Sequence, residues 1–302
     1  MSAGARGPGK AQVTASVGID RRTLLGGLAV LPLMAPAIVS AAPRASLAFG
    51  LTPVFRNSDL ALLERLQAYL EASTGRPVEL VTRRTYQEIS ALVVSGQVDA
   101  AWICGYPFVQ YRRELALVAV PLWRGTPRYQ AYIIVDRDRP GDDWHRLGGD
   151  IHAFSDPDSN SGYLATTALL AAEGLSASSF FQSSFYTYGH RNVVRAVASG
   201  LAQSGSVDGY VWEVMAELEP ALTDRTRILR ASEWLGFPPI ACARRSADSP
   251  ETSLLREALL GMSTDPVGRE VLAMLRLDGF AVEDEGLFDT IAAKIDIVRR
   301  ST

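Results

Sequence analysis

The sequence predicts an α/β protein built as two α/β lobes, joined by two crossing strands around a cleft. Three observations carry that expectation. From Ser46 onward, short β-branched or apolar runs alternate with amphipathic stretches, the pattern of βαβ units on a largely parallel sheet. The pattern restarts after a strand that ends in charge and proline at residues 136–140. A strand preceded by two prolines, FPPIACAR, then returns the chain to where it began.

Taken in order, SLAFGL reads as a strand and SDLALLERLQAYLEASTG as a helix, with Ser58 as N-cap and Gly75 as C-cap. PVELVTR is the second strand, TYQEISALVVSGQ the second helix and VDAAWICG the third strand. Thr85 and Glu88 have capping-box spacing, which fixes that helix start. ALVAVPLW and YQAYIIVDRDRP follow as strands. The second lobe reads IHAFSD, SSFYTYG and SVDGYVW as strands. Between and after them, SGYLATTALLAAEG, HRNVVRAVASGLA and EVMAELEPAL read as helices. After TRILRAS and FPPIACAR the remainder reads as helical, in SPETSLLREALLGM, DPVGREVLAMLR and EGLFDTIAAKIDIVRR. The expected division is lobe 1 at 43–136 plus 237–302 and lobe 2 at 137–236.

Residues 1–42 read as a twin-arginine signal peptide: Arg21 and Arg22 precede an apolar run that ends in Ser40, Ala41 and Ala42. Gly26, Gly27, Pro32 and Pro36 interrupt that run, which favours a cleaved leader over a membrane anchor. The expected location is therefore the periplasm. The chain has 30 basic and 33 acidic side chains; removing the leader's four basic residues and Asp20 leaves 26 and 32, a net charge of −6. A mildly acidic chain with no basic cluster is a poor partner for nucleic acid. Its two cysteines, Cys104 and Cys242, and three histidines, His145, His152 and His190, have no metal-ligand spacing, so neither a metal nor a cofactor is expected. An oxidising compartment permits a Cys104–Cys242 disulfide, and the sequence leaves that open.

In open α/β sheets, ligands sit beyond the carboxyl ends of strands, at helix N-termini. Four loops fall there. In DPDSNSGYL, Ser159, Asn160 and Ser161 stand in a row at a helix start, where backbone N–H groups and hydroxyls suit an oxyanion and a helix cap needs only one such residue. In YGHRN, His190 opens a helix directly after a strand, as a cap, a buried ring or a ligand contact. Trp212 and Glu213 follow the strand in DGYVWEVM. In WICGYPF, Cys104 ends a strand, Gly105 lets the backbone approach a guest and Tyr106 offers a hydroxyl. A buried packing role competes with ligation for Cys104; a thiol at a helix start gains reactivity when its pKa falls.

The segments TYQEISALVVSGQVDAAWICGYPFV, RYQAYIIV, DPDSNSGYL, YGHRNVVRAVASG and VDGYVWE together resemble the PhnD-like periplasmic binding proteins for phosphate, phosphite and phosphonates. The resemblance covers nearly the whole chain after the leader. It implies the type II periplasmic-binding-protein fold, closing on its ligand about a hinge. It also implies that Tyr86 and Tyr129 face the ligand, that Ser159, Asn160 and Ser161 form the oxyanion loop, and that His190 lines the site. Asn160 departs from the threonine or serine usual there. Glu213 matches an acidic residue that meets the amino group of an aminophosphonate. Cys104 and Gly105 stand where many members have a glycine and a polar residue, and there the chain is similar to an arsenite-binding sensor branch. Trivalent arsenic is soft and prefers thiolate to oxygen.

The expected function is capture of a small oxyanion by a monomeric periplasmic protein that delivers it to an inner-membrane ABC permease. The alternative is an arsenite-binding sensor protein that uses Cys104 and signals to a sensor histidine kinase. An enzyme built on Cys104, His190 and Glu213 would need those groups in hydrogen-bond contact, and the expected architecture divides them between lobes. A purely structural adaptor is disfavoured by the donor-rich helix start.

Overall fold

The computed structural model describes residues 46–52 and 60–301; the expected leader and Ser58 lie outside them. β1 (Leu47–Leu51) is buried throughout, and α1 (Leu60–Thr74) ends at Gly75 in the left-handed conformation a C-terminal glycine supplies. β2 (Val78–Thr82) leads to α2 (Tyr86–Ser95). The α2 start is the capping box the sequence predicts: the Thr85 hydroxyl accepts from Glu88 N–H, and the Glu88 carboxylate accepts from Thr85 N–H. β3 (Ala100–Trp102), α3 (Gly105–Gln110) and β4 (Leu115–Leu122) complete the first run.

The chain then crosses, earlier than the sequence suggests. YQAYIIV is divided at Gln130 into β5 (Arg128–Tyr129) and β6 (Ala131–Asp136), and β6 lies in the second sheet. The passage out of the first sheet therefore precedes residue 131, not 137. That sheet contains β7 (Ile151–Phe154), β8 (Ser183–Tyr186), β9 (Ser204–Asp208) and β10 (Thr226–Ala231) in the order β10-β6-β9-β7-β8. Its helices are α4 (Ala165–Ala172), preceded by a π-helical turn at Asn160–Leu164, then α5 (Ala177–Phe180), α6 (His190–Ala198), α7 (Gly209–Leu218) and α8 (Pro220–Thr223). SVDGYVW is a strand only as far as Asp208; GYVW is already helix, because Asp208 caps α7 by accepting from Val211 N–H at 3.2 Å.

The return passes through β11 (Leu235–Gly236), which pairs antiparallel with β5. This two-stranded ribbon ties the two crossings together, and Phe237 N–H extends it to the Pro127 carbonyl at 2.9 Å. β12 (Ile240–Ala243) then enters the first sheet between β3 and β4, antiparallel to both. α9 (Pro250–Gly261) and α10 (Pro266–Leu275) follow as expected. A short strand that the helical reading missed, β13 (Gly279–Ala281), pairs antiparallel with β4. Three residues are too few for a period to show. The chain ends in α11 (Asp289–Ser301).

The first sheet has the order β13-β4-β12-β3-β1-β2. In each lobe, the strand that arrives from a crossing runs against its neighbour: β6 against β9, and β12 against β3 and β4. A chain that crosses enters the new sheet from the opposite end, and this accounts for the mixed sheets where a largely parallel one was expected. The result is the type II periplasmic-binding-protein fold, two α/β lobes around a cleft. The main apolar core includes residues of both sheets, and a smaller cluster around Trp144, Phe154 and Phe181 fills the far side of lobe 2.

Candidate functional site

Tyr86 is the first residue of α2, so the capping box fixes its position on the cleft. Its ring is 2% exposed, and its hydroxyl lies 3.2 Å from His190 Nε2 in the opposite lobe. Cys104 follows β3, where Ile103 N–H bonds to the Pro239 carbonyl at 3.0 Å. Its Sγ accepts from Asn160 N–H across the cleft at 3.2 Å. Tyr129, in the hinge ribbon, is fully buried and accepts from Asn160 Nδ2 at 2.9 Å.

The facing wall comes from the turn after β7 and the ends of β8 and β9. Ser159, Asn160 and Ser161 are all buried there. Ser159 is the cap, its Oγ accepting from Gly162 N–H at 3.0 Å. Asn160 bridges to lobe 1 and to the ribbon, and its Oδ1 has no hydrogen-bond partner among the described residues; neither has the buried Ser155 Oγ. Ser161 Oγ donates to Asp208 Oδ2 at 3.4 Å. Gly162 is obligatory, because a Cβ there would lie 1.8 Å from Ser155 Oγ and 3.0 Å from His190 Cε1.

His190 begins α6, and its protonation follows from its partners. Asp208 N–H donates to Nδ1 at 3.1 Å, so Nδ1 is an acceptor and the ring proton sits on Nε2. Nε2 therefore donates toward Tyr86 and the cleft. Burial lowers the histidine to about 3, which keeps it neutral. Asp208 was not singled out in the sequence, and it stands at the centre. It is 2% exposed, and burial pushes its carboxyl up to about 7 although hydrogen bonds from Val211 and Tyr210 N–H and from Ser161 pull the other way. Burial also raises Asp156, which accepts from Asp158 N–H at 2.8 Å and Tyr86 N–H at 3.4 Å. The signal that was available is Asp208 itself, an N-cap residue type directly after a strand and before the apolar run YVWEVM.

Burial pushes the Cys104 thiol up to about 12, opposite in direction to the activation considered for a cysteine at a helix start. Desolvation outweighs the N–H groups of Asn160 and Tyr106 that point at the sulfur. Both cysteines are free. The register explains why: Ile240 faces Trp102, so Cys242 and Cys104 are offset by four residues along an antiparallel ladder, roughly 13 Å, well beyond bridging reach.

Three expected site residues are engaged with other groups. A Cβ on Gly105 would lie 2.7 Å from Ile291 Cδ1, so its small size serves the packing of α11. Tyr106 is half-buried on the rim, its phenol raised by burial and by Asp158 and Tyr163. Glu213 accepts from Tyr132 OH at 3.0 Å and pairs with Arg124 at 3.2 Å. It lies five residues beyond Asp208, roughly 7.5 Å further along α7, where its carboxylate is taken up by Tyr132 of its own lobe and by Arg124 of the other. Cys104, His190 and Glu213 each bond to other groups and form no relay. Of the other histidines, His152 is buried inside lobe 2 and His145 is exposed between Asp143 and Glu173.

The brought-together set is thus Tyr86, Cys104, Tyr129, Ser159, Asn160, Ser161 and His190, joined by Ser155, Asp156 and Asp208. The bonds that link Tyr86, Cys104 and Tyr129 to the facing wall involve no arginine or lysine; the inter-lobe pairs Arg124–Glu213 and Arg276–Glu217 stand further along α7. It offers neutral donors, an unpartnered amide oxygen and two carboxyls, in a dry setting where each polar interaction is strengthened.

Relatives and solved structures agree with this architecture. The phosphate-import protein PhnD of Mycolicibacterium smegmatis is 30% identical over 167 residues, 51% of this chain and 52% of that protein; the chain thus matches about half the length of this curated relative. A binding-protein component of an ABC phosphonate transporter from Pseudomonas aeruginosa superposes with a TM-score of 0.78 at 18% identity, over 86% of this chain and 88% of that one. PhnD1 from Prochlorococcus marinus, solved with methylphosphonate, gives a TM-score of 0.73 at 16% identity, over 85% and 98%. At such identities these two structures speak for the fold. Residues 49–285 match the family described as the periplasmic substrate-binding protein of the phosphonate ABC transporter, and to that family this chain belongs.

Proposed function

We propose that the chain captures a small oxyanion of the phosphate, phosphite or phosphonate kind that still carries a proton, and hands it to an ABC importer. The observation that carries this reading is Asp208, a buried carboxyl poised near 7 within a cation-free set of donors. The hydroxyls of Tyr86 and Tyr129 donate to the anion's oxygens, as does His190 Nε2–H once an anion oxygen replaces the Tyr86 oxygen as its acceptor, while Ser161 stays on Asp208. Asp208 and Asn160 Oδ1 accept, so they ask the ligand for a hydroxyl. A fully ionised anion such as sulfate would meet the carboxylate with like charge. A phosphorus oxyacid, with a second pKa near 6, satisfies both sets of groups. Isothermal titration of the mature protein with phosphate, phosphite, methylphosphonate and sulfate tests this: binding of the first three classes without sulfate supports it, and equal sulfate affinity overturns it. Asp208→Asn should narrow the gap between phosphate and sulfate.

A second reading rests on Cys104, whose free sulfur lies in the cleft wall. Arsenite could exchange one As–OH for an As–S bond, the thiol proton leaving with the hydroxide as water, and the protein would then report to a sensor kinase. Cys104→Ser would abolish arsenite binding under this reading and leave phosphate affinity within about ten-fold under the first, the span of one hydrogen bond. Export by the twin-arginine route, a monomeric state and the lobe limits belong to the same proposal; given β6 and β10, lobe 2 is best set at about 131–231.

A further inference from the structure

We infer that α11 is a clasp that sets how readily the two lobes close, acting on the cleft through the helices that begin at its two walls. Its start is fastened to lobe 1. Arg112 pairs with Glu285 and Asp289, both at 3.1 Å, and Arg244 pairs with Glu285 at 2.8 Å. Phe288 packs on Phe108 of α3 at 4.9 Å, and Ile291 fills the space at Gly105, next to Cys104. Midway, Lys294 pairs with Glu233 on the return crossing at 2.6 Å. Beyond it the helix lies along α4, which continues directly from the turn carrying Ser159, Asn160 and Ser161.

One helix thus touches both walls of the cleft and the hinge segment. When the lobes part, α4 moves relative to α3, and α11 cannot follow both. The seam that yields is the one with α4, the most extensive contact α11 makes, which is flanked on both sides by open clefts. An open cleft of about 210 Å³ lies on one flank, bordered by Ala168, Lys294 and Ile297, and one of about 330 Å³ on the other, bordered by Tyr163, Ala171 and Val298. The side chains of that seam, Ile297 among them, therefore lose their contacts when the lobes part, and this loss favours the closed form. Lys294 is the only lysine outside the expected leader, and its side chain is 13% exposed at this seam.

The inference rests on the reading of the cleft as a site that closes. Spin labels on exposed Arg83 and Ser178 report the inter-lobe distance in the full chain by pulsed electron resonance, with and without inorganic phosphate. The wild type should show a dominant short distance. Lys294→Ala combined with Ile297→Ala should lower the closed fraction about five-fold or more and reduce phosphate affinity in proportion. Glu233→Gln breaks the same pair from the hinge side and should move the distance in the same direction, whereas Lys294→Arg should retain the wild-type distribution. Identical ligand-free distributions in the wild type, the double variant and Glu233→Gln, whether short or long, overturn the role of α11. Failure of phosphate to bind any of them overturns the cleft reading alone, since the ligand-free distances still decide the clasp.

Discussion

Two histidines of lobe 2 are equally buried and equally neutral, yet they belong to different parts of the protein's chemistry. His152 lies inside the lobe between Ser204 Oγ and Ser206 Oγ, both at 2.8 Å, and stacks on Phe181 at 4.2 Å. His190 has one nitrogen fixed by Asp208 N–H and turns the other across the cleft toward Tyr86. Burial lowers both to about 3. Burial and titration therefore fail to separate the residue that holds a lobe together from the one that faces a ligand. What separates them is whether the hydrogen bonds stay within one lobe or span two.

The largest consequence is shared by both. Between about pH 6.5 and 3 the unfolded chain binds protons at these two positions and the folded chain does not, so stability falls as pH falls through that window. Each histidine contributes a slope of up to about 1.4 kcal/mol per pH unit. Asp208 has the opposite sign: its folded carboxyl holds a proton between about pH 4 and 7 when the unfolded one does not, so its contribution declines as pH rises there. Urea denaturation from pH 4 to 7 should show, relative to the wild type, a steeper rise of stability with pH in Asp208→Asn and a shallower one in either histidine variant.

The pair is pulled apart by substitution. His152→Ala leaves two buried serine hydroxyls without their partner and opens a cavity, and should cost about 3 kcal/mol or more of stability with anion affinity unchanged. His190→Ala should do the reverse, weakening binding about ten- to hundred-fold, the value of a hydrogen bond to a charged group, while the midpoint of unfolding moves less than for His152→Ala. If both variants lose stability and affinity alike, the distinction drawn from their partners is wrong. The smallest effect belongs to Glu213→Gln. With its carboxylate already engaged by Tyr132 and by the exposed Arg124 of the other lobe, away from Asp208, anion affinity by titration should stay within about two-fold, inside the range of a surface ion pair.

Much of the cleft was legible because its residues occupy the starts of helices that follow strands. The Thr85/Glu88 spacing fixed Tyr86, and three polar residues in a row marked the turn before α4. The start of α7 was misplaced because GYVW reads as strand by β-propensity, whereas Asp208 caps a helix that begins four residues sooner, at Gly209. Cys104 was placed correctly in the wall, but the direction of its titration depends on how deeply the opposite lobe covers it.

Local signals, namely alternation, capping spacing and turn residues, act within a few residues, and for that reason the amino-acid sequence by itself determined the βα order and the loops that face the cleft. Only the tertiary structure decided which sheet β6 joins, that β13 exists, that Asp208 lies beside His190, and that α11 reaches both lobes. Each of these depends on groups far apart in the chain meeting in space, and no period or motif within one segment encodes such a meeting.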